Sequence, residues 1–170
     1  MSLIFSVVLA GTIALSQMVV PTIINGATTF ATLPGLDGVF TGTPAALGIE
    51  EDHLLSCPAS PNCVVSQGET DEEHGIAPIK YSSDRETARA LLLKVLTVVP
   101  RTEVLEQTEG YIRFASTSRL LGFVDDGEFY LPEDEAVIHM RSASRMGESD
   151  LGVNRRRLEQ IRLAMADLGA

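Results

Sequence analysis

From Arg101 to Arg145 the side chains alternate between apolar and polar, and this period of two constrains the fold more than any other feature. The run divides into four strands, at residues 102–108, 111–120, 123–131 and 136–145. The breaks are Glu109-Gly110, Leu121-Gly122 and residues 132–135, each short enough for a hairpin. Four consecutive strands joined this way predict an antiparallel meander.

The register follows from keeping one face apolar, since a slip of one residue would turn every side chain over. A two-residue loop at Leu121-Gly122 sets Phe114 opposite Phe129 and Ile112 opposite Leu131. A four-residue loop at 132–135 sets Phe129 opposite Ile138 and Leu131 opposite Ala136. Leu120, Phe123 and Met140 join that apolar face. The other face then holds Asp126 opposite Arg141, Glu128 opposite His139, and Glu106 opposite Arg113, with Arg119 and Arg145 near one end. Asp125 points the opposite way, toward Ser118 and Ser142.

Helical signals flank the strands. Ser83-Asp-Arg-Glu86 has the form of a capping box, and Ala88, Leu91, Leu92, Val95 and Val99 recur at helical spacing until Pro100. This predicts an amphipathic helix over 84–98. Residues 151–168 place Leu151, Leu158, Ile161, Met165 and Leu168 on one stripe, with Ser149 or Asp150 available as the cap. The expected fold class is α+β: a four-stranded antiparallel meander flanked by two helices (α-β-β-β-β-α) in two layers, with an N-terminal apolar segment.

Residues 2–36 carry no charged side chain, and 3–15 (LIFSVVLAGTIAL) is apolar enough for the core of a signal peptide. No Lys or Arg precedes that run, and Pro21 with several polar residues makes 3–24 a mediocre membrane span. Residues 1–31 therefore read as a signal peptide, or else as an uncleaved anchor. LAGT stands where a lipoprotein signal would need LAGC. Residues 32–56 are rich in Gly, Pro and Thr and read as linker and loop, leaving 57–168 as one domain. Export, to a periplasm or a thylakoid lumen, makes a disulfide between Cys57 and Cys63 the default for CPASPNC. A metal site with His53 and His74, or a redox pair, are sharper readings of the same cysteines, although the spacing fits neither a zinc knuckle nor Cys-x-x-Cys.

The net charge of −10 argues against nucleic acid as a partner, which needs a basic face. Residues 1–79 contain no Lys or Arg, whereas six of the thirteen basic residues fall between Arg141 and Arg162. The polar sheet face supports three readings. Alternating charges on an antiparallel sheet can simply be a cross-strand ion-pair lattice. Asp126, Glu128 and His139 can form a carboxylate–histidine metal site, or Glu128 and His139 an acid/base pair. Arg119, Arg141 and Arg145, with Asn154 at the start of the last helix, can instead hold a small anionic ligand. No GxSxG, P-loop, HExxH or GxGxxG motif is present, so no catalytic residue, resident metal or cofactor is assigned.

Several motifs together, CPASPNCVVSQ, YIRF, SRLLGFVDDGEFYL and IHMRSASRMGESDLGVNRRRLEQIR, resemble the domain-of-unknown-function 1499 family over residues 42–165. The resemblance adds weight to Cys57, Cys63, Asp125, Asp126, Glu128, Arg141, Ser142, Arg145, Asp150 and Asn154, which fall within those motifs. It implies no activity, because the family carries none that is established. Its spread through bacteria, cyanobacteria and plastid-bearing eukaryotes suggests a membrane complex, such as a photosynthetic one, as partner. The expectation is thus a non-enzymatic extracytoplasmic accessory or binding domain; the alternative is a metal-dependent or acid/base enzyme, or an anion binder, on the Asp126/Glu128/His139/Arg141 face.

Overall fold

The computed structural model describes residues 41–68 and 71–170. The proposed signal or anchor at 1–31, and the first part of the linker, lie outside the described residues. The fold is α+β, and its strands and helices run in the order β1 (Ile49–Glu50), β2 (His53–Leu54), β3 (Cys63–Val65), β4 (Ile79–Lys80), α1 (Arg85–Leu96), β5 (Thr102–Gln107), β6 (Tyr111–Thr117), β7 (Val124–Tyr130), β8 (Val137–Ser144) and α2 (Val153–Asp167). Strands β5 to β8 pair antiparallel in sequence order, but the sheet has six strands where four were expected. Both β3 and β4 add antiparallel to the free edge of β8. They are three and two residues long, too short to show a period, so hydrophobic alternation could not announce them.

The register expected for the meander is displaced by two residues at both later hairpins. Phe114 faces Gly127, Ile112 faces Phe129, and Phe129 faces Met140. Glu128 faces Arg141, Asp126 faces Ala143, and Tyr130 faces His139. The loop joining β6 to β7 spans residues 118–123, not two residues, and Leu120 is exposed in it instead of joining the core. A shift of two preserves the face of every side chain, because the side-chain period of a strand is two. The division into apolar and polar faces therefore stands, although most of the cross-strand partners change. Glu106 does face Arg113 as expected, beyond an irregularity between Val104 and Glu106.

The apolar face packs against both helices. Ile112, Phe114, Phe129, Leu131, Ile138 and Met140 meet Ala88, Leu92, Val95 and Leu96 of α1 and Leu158, Ile161 and Met165 of α2. Phe114 and Phe129 stack with ring centroids 5.4 Å apart. Gly127 is required beneath them, since any Cβ there would fall inside the Phe114 ring. Gly127→Ala is expected to lower stability by about 2 kcal/mol through overpacking, read as a lower urea midpoint at unchanged m-value.

Each helix is capped by an aspartate, one of them displaced from expectation. At α1 the cap is Asp84, not Ser83: its Oδ1 accepts from the Thr87 backbone N–H at 2.9 Å and its Oδ2 from the Thr87 hydroxyl. At α2 the residue flanking the helix is Gly152, in the left-handed region, and Asp150 reaches past it to accept from the N–H of Gly152 and of Asn154.

The middle of the polar face, around Asp126, Glu128 and Arg141, does not meet water. Residues 42–56, expected as a linker, lie across it as a strap carrying the β1–β2 ribbon. Leu54 is buried there, as are Cys63, Val65 and Ala143 on the same face of the sheet. Disulfide-bonded Cys57 and Cys63 tie the end of the strap to β3.

Candidate functional site

Two polar clusters gather most of the residues singled out in the sequence, one on each face of the sheet. On the strap side, β7 directs Asp126 and Glu128 outward from the core, and both are 0% exposed. Arg141, on the neighbouring strand, donates to Glu128 Oε1 at 2.9 Å. Glu128 Oε2 accepts from the Tyr111 hydroxyl at 2.6 Å and from the Gly48 backbone N–H at 2.7 Å. Arg141 also donates to the Ala46 carbonyl at 3.1 Å. Burial and the adjacent Glu128 carboxylate push the Tyr111 phenol far above its ordinary pKa, so it remains a donor.

Asp126 is held by two arginines. Arg145 grips it in bidentate fashion, Nε to Oδ2 at 2.7 Å and Nη2 to Oδ1 at 2.9 Å, and Arg113 Nη2 stands 3.5 Å from Oδ1. Fork-on-carboxylate geometry of this kind is the strongest form of charge-assisted hydrogen bond. Both carboxylates are thereby neutralised inside the protein.

The second cluster sits at the end of the apolar face, between β7, β8 and the start of α2. Asp125 accepts from Arg157 Nη2 and from Ser144 Oγ, each at 2.6 Å. The serine flank is Ser144 together with Ser116, which faces Asp125 across β6, and not Ser118 and Ser142. Asn154 is the hub. Its Oδ1 accepts from Arg157 Nη1 at 2.7 Å and lies 2.6 Å from Ser142 Oγ; its Nδ2 donates to the Asn62 carbonyl and reaches Ser144 Oγ, both at 3.0 Å. Asn62, within the disulfide loop, also donates to the Gly147 carbonyl. The Arg155–Arg157 run at a helix N-terminus, unfavourable to the dipole, is thus explained. Arg157 meets Asp125, Arg155 donates to the carbonyls of Glu72, Glu73 and Gly75, and Arg156 donates to the Leu151 carbonyl.

The expected metal set and anion set are not assembled. His139 stands beside Tyr130, two positions from Glu128's partner, and among the described residues no three His, Cys, Asp or Glu side chains gather to hold a metal ion. Arg141 and Arg145 each serve their own carboxylate, while Arg119 is exposed in the β6–β7 loop. The Cys57–Cys63 pair is disulfide-bonded. His74 is turned instead to Asp71, whose hydrogen bond raises the His74 pKa above its usual value while burial opposes it.

His139 has a serine partner that sequence reasoning missed. Ser66 Oγ lies 3.2 Å from His139 Nδ1, and Glu135 Oε2 lies 3.9 Å from Nε2. The order Ser–His–Glu is that of a hydrolase triad, but the geometry is that of an edge-strand fastening. Ser66 Oγ already accepts from the Met140 backbone N–H at 2.8 Å, and the Glu135 side chain is 61% exposed on a turn. Burial depresses the His139 pKa, with Glu135 pulling the other way. NMR titration is expected to give a His139 midpoint below that of a free imidazole and a His74 midpoint above it. His139 is protonated more readily in the unfolded chain, so its contribution is lost as pH falls through the ordinary imidazole value toward its depressed folded value. The His74 contribution is present below the ordinary value and lost as pH rises through its raised one.

Residues 53–165 match the sequence profile of DUF1499, a family of proteins of unknown function. The chain belongs to the DUF1499 family. Comparison with curated proteins and with solved structures finds no match. The matched region runs from β2 through nearly all of α2, so it contains every side chain of both polar clusters and the disulfide of this DUF1499 domain. Tyr111, Arg113, Asn62 and Arg157 complete the clusters. Only Arg113 was placed on the polar face by the strand alternation; Asn62 and Arg157 come from loop and helix positions whose partners no period of two could supply.

Proposed function

We propose that this DUF1499 chain is a non-enzymatic, extracytoplasmic accessory or binding domain that serves a membrane complex, in a periplasm or a thylakoid lumen. One observation carries the reading. The two carboxylates best placed for chemistry, Asp126 and Glu128, are fully enclosed and matched by arginine, tyrosine and backbone donors. Groups so engaged hold a fold together and are not free to bind substrate. The disulfide fits an oxidising, exported setting. Among the described residues no helix is long and apolar enough to cross a membrane, and residues 2–36 carry no charged side chain.

Two measurements on natively expressed protein test this. Alkylation of intact cells is expected to find Cys57 and Cys63 already oxidised, and affinity capture from the detergent-solubilised membrane fraction is expected to recover a membrane complex. Reduced cysteines in the cell, together with a chain that purifies from the soluble fraction free of partners, would overturn the proposal. The bridge should also contribute stability: for so short a loop, reduction is expected to cost about 2 kcal/mol, measured by urea unfolding with and without dithiothreitol.

A further inference from the structure

Between the two polar clusters stands a methionine that neither cluster uses. Met146 follows Arg145, which grips Asp126 on the strap side, and precedes Gly147, whose carbonyl accepts from Asn62 in the disulfide loop. The Asn62 carbonyl in turn accepts from Asn154 in the second cluster. Met146 is 41% exposed, whereas Met140 and Met165, the other methionines among the described residues, are fully buried.

The strap starts on this side chain. Gly42, with φ at +61°, lies so close to the β8–α2 junction that a Cβ on it would stand 2.6 Å from Met146 Cγ and 2.8 Å from Arg145 Cβ. The main chain of the strap therefore rests directly on the methionine. Farther along, the strap has few other holds on the sheet. Gly48 N–H donates to Glu128, Leu54 N–H donates to Gln67 Oε1, and the Ala46 and Ser56 carbonyls accept from Arg141. Most of its side chains from Thr41 to His53 are exposed, and Leu54 is its one buried apolar anchor. A segment with so little apolar burial opens locally at low cost, so each hold matters to it.

We propose that Met146 is an oxidation site through which hydrogen peroxide loosens the strap. The thioether sulfur attacks one peroxide oxygen, so that an S–O bond forms and the O–O bond breaks. The proton on the attacked oxygen passes to the departing hydroxide. Methionine is thereby oxidised by two electrons to the sulfoxide, and the peroxide is reduced to water. The product is a polar side chain in place of a flexible apolar one, carrying an added oxygen beside a glycine that has no room to spare. Susceptibility follows exposure, so Met140 and Met165 are shielded from the same reaction. The step needs no membrane partner and stands apart from the accessory-domain reading.

The test treats the full 170-residue chain with dilute hydrogen peroxide and follows its peptides by mass spectrometry. Met146 is expected to be oxidised at least about tenfold faster than Met140 or Met165. Hydrogen exchange at Gly48 is expected to rise about tenfold in the oxidised protein, as local opening becomes easier, while exchange at Ile112 and Phe114 in the core stays unchanged. M146L, at an exposed position, should keep the urea midpoint and abolish the rise. G42A, whose Cβ would lift the strap off Met146 without any oxidation, should raise Gly48 exchange in untreated protein. Oxidation of Met146 no faster than that of the buried methionines overturns the site. Rapid oxidation with unchanged Gly48 exchange, a rise that persists in M146L, or a silent G42A variant each overturns the coupling to the strap.

Discussion

Arg141→Met is expected to lower the unfolding free energy by about 3–5 kcal/mol, the usual consequence of removing one partner from a buried ion pair. Glu128 would keep its bonds from Tyr111 and Gly48, but it would remain a charge with no exposure and no cation beside it. Arg141 would also cease to hold the Ala46 carbonyl, so the strap should loosen together with the sheet. Urea unfolding gives the magnitude, and hydrogen exchange at Gly48 reports the strap directly. Replacing both members, as Glu128→Leu with Arg141→Met, should restore part of the loss, since apolar replacement of a whole buried pair is often near neutral. A double variant weaker than Arg141→Met alone would show that Glu128 is stabilised chiefly by its other donors.

Asn154→Ala is expected to cost about 3 kcal/mol, because each buried polar group left without a partner costs about 1–3 kcal/mol. The Asn62 carbonyl loses its side-chain donor, and Arg157 and Ser142 lose a shared neighbour. Since Asn62 lies inside the disulfide loop, the effects of Asn154→Ala and of reduction should not add; residues that share a network are coupled. Unfolding of the variant with and without reductant measures that coupling directly. Strict additivity would mean the loop and the helix start are held independently.

How much of this was legible beforehand depends on the length scale of each interaction. Ile112, Phe114, Phe129, Ile138 and Met140 declare a core face by alternation alone, and the two helices declare theirs by spacing. Because register errors of two residues keep faces intact, Asp126, Glu128 and Arg141 were assigned correctly to one face and given the wrong opposite numbers. The six-residue β6–β7 loop caused the first displacement; the apolar Leu120 and Leu121 resemble strand residues until one sees them exposed. What could not be read was the strap. Residues 42–56 have the Gly, Pro and Thr content of a linker, and their bonds to Glu128 and Arg141 are made largely by backbone groups, which every residue possesses. Side-chain identity carries no trace of such contacts.

The strap also sets an order of events. Gly48 bonds to a residue 80 positions later, and Ala46 to one 95 positions later. The strap is made before every strand of the meander, yet Ala46 and Ser56 have no partner in Arg141 until β8 has been synthesised. Glu128 and Arg141 are covered by the earliest part of the described chain closing over β7 and β8. Such long loops close slowly, and until they do the polar face around Glu128 and Arg141 stays open. A chain of this design is committed late: its first described segment and its last strand must both be present before the polar face can close.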